Sequence, residues 1–139
     1  MSRHPDLYAE ILRRGHRTGN HSYNHLNGLH CCLKDYLDNV DKAAALIDSN
    51  LFRPAHGWMK PSQFRALNGR YRIVLWDVIT RDYNPNRSPE KILRNACRYV
   101  RNGSIIVFHD SIKSERNMRA VLAPFIEYCL SKGYSFELI

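Results

Sequence analysis

His21 and His25 stand four residues apart in the run His21-Ser22-Tyr23-Asn24-His25. On a helix that spacing sets two imidazoles on one face, near enough to chelate one divalent ion. The pair alone is weak ground: an HxxxH in a chain with seven histidines is more often incidental. Catalytic zinc also normally takes three protein ligands and a water. Its company gives it weight. Arg53, Asp82 and His109 follow at intervals of 32, 29 and 27 residues, each about one strand–helix unit. In Phe52-Arg53-Pro54-Ala55-His56-Gly57 an arginine and the N–H groups of a rigid turn suit a developing oxyanion, although the same residues also read as an ordinary Pro-Gly loop. Trp76 to Tyr83 carries two acids, Asp77 and Asp82. A buried carboxylate needs a partner, and His109 in Phe108-His109-Asp110 is a natural one and a candidate general acid.

The elements that must position these residues are legible from pattern. Pro5 to Arg14 reads as a helix started by proline and ended by Gly15. Asp35 to Ile47 carries the apolar stripe Tyr36, Leu37, Val40, Ala43, Ala44 and Ile47, and Pro61 to Leu67 is a shorter helix. Ser88-Pro89-Glu90 is a cap, a first-position proline and an early acid, opening a helix that Gly103 closes. Glu115 to Lys132 is the longest helical pattern, with Pro124 expected to bend or divide it. Between the helices, Ile73 to Trp76 and Ser104 to Phe108 are continuous apolar runs of the kind buried on both faces of a sheet. Leu51 to Arg53 and Phe136 to Ile139 are weaker strand candidates, and His16 to Asn20 the weakest. Alternating strands and helices imply an α/β fold with a parallel sheet or barrel. Residues after successive parallel strands converge at the carboxyl-end face, where such folds keep their active sites.

Bulk properties narrow the classes. A length of 139 residues suggests one domain, 1–139. The net charge of +8 would suit an anionic partner, but the basic residues are scattered over helix flanks, so no nucleic acid is expected. No apolar run approaches the roughly 18 residues of a membrane span. The N-terminus has no apolar signal core, so as written the chain is expected in the cytoplasm. Cys31, Cys32, Cys97 and Cys129 form no CxxC pair, and Cys97 and Cys129 read as buried free thiols.

Taken together, these segments resemble the polysaccharide deacetylase family, the NodB-like homology domain of carbohydrate esterase family four. His21-Ser22-Tyr23-Asn24-His25 looks like the family's second motif, and Arg53-Pro54-Ala55-His56-Gly57 resembles its third. Asp82-Tyr83 resembles the fourth and Ile106-Val107-Phe108-His109 the fifth. The resemblance covers essentially the whole chain. It implies a distorted (β/α) barrel that removes N-acetyl, or sometimes O-acetyl, groups from glycans. It implies a divalent metal, commonly zinc, on His21 and His25 together with an aspartate. It makes His109 the acid that protonates the leaving amine, Asp82 the group that orients His109, and Arg53 the residue that orients the catalytic base. The His56 backbone N–H would hold the oxyanion, and Tyr83, Ile106 and Phe108 would shape the acetyl pocket.

One departure matters most. The family's first motif, Thr-Phe-Asp-Asp, supplies the base and the third metal ligand, and no such sequence occurs in these 139 residues. Asp6 lies within a helix pattern and does not replace it. The expectation is an incomplete barrel lacking its first two strands, weakly active or inactive alone and self-associating through open barrel edges. The alternative is a non-catalytic glycan-binding or interaction module derived from the same fold.

Overall fold

The structure, a computed structural model, describes residues 4–139. The chain divides into two compact units, the first running up to Leu75 and including Leu138–Ile139, the second Trp76–Glu137.

In the first unit the order is α1 (Pro5–Arg13), α2 (Leu33–Ala44), β1 (Leu51–Phe52), α3 (Pro61–Asn68) and β2 (Arg72–Ile73). β1 and β2 pair in parallel, Leu51 opposite Arg72 and Phe52 opposite Ile73, and Asn20 adds an isolated parallel bridge to Phe52. The Val74 N–H still donates to the Phe52 carbonyl at 2.8 Å, but Pro54 has no N–H with which to carry the ladder on. This ends a pairing that the apolar run to Trp76 suggests should be longer. Tyr36, Val40, Phe52, Leu67 and Tyr71 form the core, with α2 and α3 laid over the strands. Gln63 is fully buried in α3 and satisfied: its Oε1 accepts from the Lys60 N–H and its Nε2 donates to the Gly28 carbonyl, at 2.8 and 2.9 Å. Gly28 permits that approach, since a Cβ there would meet Gln63 Oε1 at 2.6 Å and the Trp58 carbonyl at 2.8 Å.

In the second unit the order is β3 (Val78–Ile79), α4 (Pro89–Tyr99), β4 (Ile106–Val107) and α5 (Glu115–Ser131). β3 and β4 are parallel, Val78 opposite Ile106 and Ile79 opposite Val107. The Ser88 side chain caps α4 as its sequence suggests. Ile92 and Ala96 of α4 pack against Val121, Phe125 and Cys129 of α5, with Ile106 and Phe108 resting on that core. Pro124 does not divide α5. All four cysteines are free, Cys129 buried and Cys97 half-buried.

The α/β reading with parallel pairing therefore holds, with three corrections. Val78–Ile79 is a strand that the sequence pattern did not single out; it is fixed by Asp77, whose carboxyl accepts from the Ser104 hydroxyl and the Ile105 N–H, both at 2.9 Å. Phe136–Ile139 forms no strand. His16–Asn20 contributes only the bridge at Asn20.

Candidate functional site

The sequence-selected residues fall into two groups, one in each unit. In the first unit, His21 follows the bridge residue Asn20 and Arg53 follows β1, so both leave the carboxyl ends of neighbouring parallel strands. The segment between His21 and His25 is not helical, which corrects the helical-face argument for the pair. Ser22 and His25 both adopt left-handed backbone, at φ 62° and 55°, a conformation that non-glycine residues rarely hold without support. Two asparagines supply it. The fully buried Asn20 accepts from the Ser22 N–H at 2.9 Å, and Asn39 of α2 accepts from the N–H groups of Tyr23 and Asn24, each at 2.9 Å. This turn brings the two rings together where a helix was expected to: His21 and His25 lie edge to face with centroids 4.9 Å apart.

His21 Nδ1 lies 2.6 Å from the Arg53 carbonyl oxygen. A carbonyl only accepts, so Nδ1 is the donor in this contact, the arrangement usual behind a metal-bound imidazole. The donor chemistry of His21 and His25 therefore fits a divalent ion of the zinc class. Among the described residues, however, no three His, Cys, Asp or Glu side chains are grouped to hold one. Arg53 is half-buried, and its Nε donates to the Val74 carbonyl at 3.2 Å. Burial lowers its pKa from the ordinary arginine value, yet a guanidinium stays charged under such a shift. His56 occupies a tight turn at φ 60°, followed by Gly57 at φ 77°, and its ring lies 4.6 Å from that of His25. Nothing in the local sequence signals this ring contact, which the turn alone creates.

In the second unit, Asp82 comes three residues after β3 and His109 two after β4. Asp82 is fully buried, with Oδ1 2.6 Å from His109 Nδ1 and Oδ2 accepting from the His109 backbone N–H at 2.8 Å. One carboxyl group thus grips both the main chain and the ring of a single histidine. This fixes N–H on Nδ1 and presents Nε2 outward. Asn117 of α5 donates to the Asp82 carbonyl at 2.9 Å, and the Ser114 hydroxyl to the His109 carbonyl at 2.7 Å. Neither support belongs to a chemical motif in the sequence; both are short polar residues at the entry and in the first turn of an apolar helix. The exposed Tyr83 sets its ring against His109 at 4.8 Å. Ile106 and Phe108 turn largely toward the α4–α5 core, Phe108 with its ring 5.8 Å from Phe125.

Comparison with known proteins points one way. The chain is 28% identical over 147 residues to a peptidoglycan-N-acetylglucosamine deacetylase of Bacillus cereus, covering 100% of the chain and 68% of that protein. It is 29% identical over 131 residues to chitin deacetylase 2 of Saccharomyces cerevisiae, covering 78% of the chain but only 39% of the yeast protein. In fold it resembles a family 4 carbohydrate esterase from Streptomyces lividans, solved with acetate, at a TM-score of 0.77 and 24% identity over 94% of the chain and 69% of the esterase. No protein-family model matches.

Proposed function

We propose that this relative of the polysaccharide deacetylases of carbohydrate esterase family four takes part in metal-dependent deacetylation of an acetylated glycan, by hydrolysis of an N-acetyl amide or an O-acetyl ester. The observation that carries the reading is the buried Asp82 carboxyl gripping His109, an arrangement suited to moving a proton at one defined nitrogen. His109 Nε2 is the atom assigned to protonate the leaving nitrogen or oxygen, and Asp82 holds the ring in register for that transfer. When bound by His21 and His25, a divalent ion supplies a Lewis acid for the acetyl carbonyl and lowers the pKa of water. The Arg53 carbonyl, by holding His21 Nδ1, would leave Nε2 as the atom that could hold such an ion, and the Arg53 side chain is assigned to orienting the catalytic base. The His56 N–H is assigned to the acetyl oxygen, and Tyr83, Ile106 and Phe108 to the acetyl pocket. An incomplete barrel belongs to the same proposal, supported by the parallel pairing within each unit.

No residue of the chain is assigned as general base, because the 139 residues contain no Thr-Phe-Asp-Asp. Loss of a base typically costs ~10²–10⁴-fold in rate, so slow turnover by the chain alone is part of this reading. The second reading is a glycan-binding module without catalysis, derived from the same fold.

The test is acetate release from N-acetylated chitooligosaccharides and peptidoglycan fragments, alongside calorimetric binding of the same glycans. Slow release that disappears on chelation and in His109→Ala supports deacetylation. Binding without release shifts the assignment to the glycan-binding module, and neither binding nor release overturns both.

A further inference from the structure

We propose that Trp58 is a sugar-stacking residue, whose exposed indole carries the pyranose ring next to the acetylated one on a bound glycan. The inference rests on the glycan reading above and names the side chain that grips the polymer beyond its reacting unit.

Trp58 leaves the His56–Gly57 turn in extended backbone, at φ −119° and ψ 136°, and Lys60 is extended as well, at φ −75° and ψ 153°. Successive side chains on extended backbone point to opposite sides. Met59 takes the inner side and packs against the first unit's core, which leaves Trp58 outside at 60% exposure. Tryptophan is highly buried on average, so an indole this open is a surface offered to something. The backbone beneath it is fixed. The Gly57 N–H donates to the Pro54 carbonyl at 3.0 Å, the Trp58 N–H to the Ala55 carbonyl at 3.4 Å and the Lys60 N–H to Gln63 Oε1 at 2.8 Å. Gly28 packs so close that a Cβ there would lie 2.8 Å from the Trp58 carbonyl oxygen and 2.9 Å from the Met59 Cα. With the main chain held and only two side-chain torsions to fix, the indole loses little entropy when a ligand covers it.

Its place beside the site selects the ligand. Trp58 lies two residues beyond His56, so their Cα atoms stand within about 7 Å, and the His56 ring is 4.6 Å from that of His25. That separation suits the next sugar along a glycan better than the acetyl group being hydrolysed. A β-linked N-acetylglucosamine ring holds its substituents equatorial and presents axial C–H groups on its faces. Those weakly positive hydrogens rest on the negative face of an aromatic ring. Tyr23, also exposed and on the histidine loop, is the poorer platform, because the Lys42 ammonium already lies 4.1 Å over its ring.

The experiment is calorimetric titration of the full chain, Trp58→Ala and Trp58→Phe with N-acetylglucosamine and with its β-linked oligomers. Indole emission is followed in a Trp76→Phe background, which leaves Trp58 as the single tryptophan. Oligomer affinity is expected to fall at least about tenfold in Trp58→Ala and by less in Trp58→Phe, with the weaker monosaccharide affinity unchanged. The Trp58 emission shifts to the blue as oligomer binding takes the ring out of water. Unchanged oligomer affinity in Trp58→Ala overturns the inference and leaves the deacetylase reading standing. Equal loss for monosaccharide and oligomer, or equal loss in both Trp58 variants, also overturns it, since the effect would then lie outside ring stacking on a neighbouring sugar. If the unaltered chain binds none of these sugars, the glycan reading falls and this inference with it.

Discussion

Asp82 shows how one buried side chain can organise a unit. Its two oxygens are spent on one residue, the His109 ring and the His109 backbone, and no surface of the carboxyl reaches solvent. Truncating it strands a buried N–H and frees the imidazole, so Asp82→Ala should cost about 2–3 kcal/mol of unfolding free energy. Urea titration measures this, and a change under about 0.5 kcal/mol would show the grip to be incidental. Tyr36 presents the opposite case. It is fully buried in the first unit's core, and its hydroxyl makes no hydrogen bond among the described residues. Burial pushes its pKa up to about 12. The neutral form is therefore favoured in the fold, and the folded chain holds a proton that the unfolded chain releases near pH 10. Stability from this group is intact below pH 10 and falls by about 1.4 kcal/mol per unit as pH rises from 10 toward 12. Tyr36→Phe should remove that alkaline sensitivity and leave stability at pH 7 equal or slightly higher. Denaturant midpoints at pH 8 and pH 11 for both proteins decide it; equal alkaline loss in both rejects the assignment.

At the scale of elements, the helices were legible because each carries start punctuation or an apolar stripe, although α2, read from its stripe alone as 35–47, runs Leu33–Ala44. Pro5, Pro61 and Ser88-Pro89 mark starts, and the apolar stripes of α2, α4 and α5 become their buried faces. The strands were less legible. Each has only two paired residues, and where a pair forms depends on a register to a distant partner that no local pattern encodes. Val78–Ile79 is a strand because Asp77 ties the chain to Ser104 and Ile105, a contact across 27 or 28 positions. The histidine pair illustrates the same limit. The spacing of His21 and His25 led to the right proximity by the wrong element, since side chains from residues 20 and 39 override local helix geometry. That override is testable. Asn39→Ala leaves the Asn24 amide without its side-chain acceptor, at a cost of about 1–2 kcal/mol, while the Tyr23 N–H keeps the Asn39 backbone carbonyl at 3.2 Å. Hydrogen exchange at the Asn24 amide should then accelerate at least about tenfold, with exchange in α4 and α5 unchanged. Unaltered protection would mean that the turn holds itself.

At the scale of the whole molecule, several large apolar side chains among the described residues remain on the surface. α1 buries none of its residues, although Leu7, Ile11 and Leu12 lie along one side of it at 57%, 42% and 45% exposure. Phe136 and Leu138 near the other end of the sequence are likewise more than half exposed. Scattered apolar residues are ordinary on a surface, but a helix with an apolar stripe and nothing buried is not. Helices this short gain their stability from covering such a stripe rather than from intrinsic propensity. The net charge of +8 opposes association at long range and is screened at ordinary ionic strength, whereas burial of the stripe is not. The expected outcome is concentration-dependent self-association that strengthens with salt, read by light scattering coupled to size exclusion. Leu7→Glu together with Ile11→Glu should return a monomer whose circular dichroism is unchanged, because neither side chain belongs to a core. A stable monomer of the unaltered chain at high concentration and high salt would mean that the α1 stripe needs no partner.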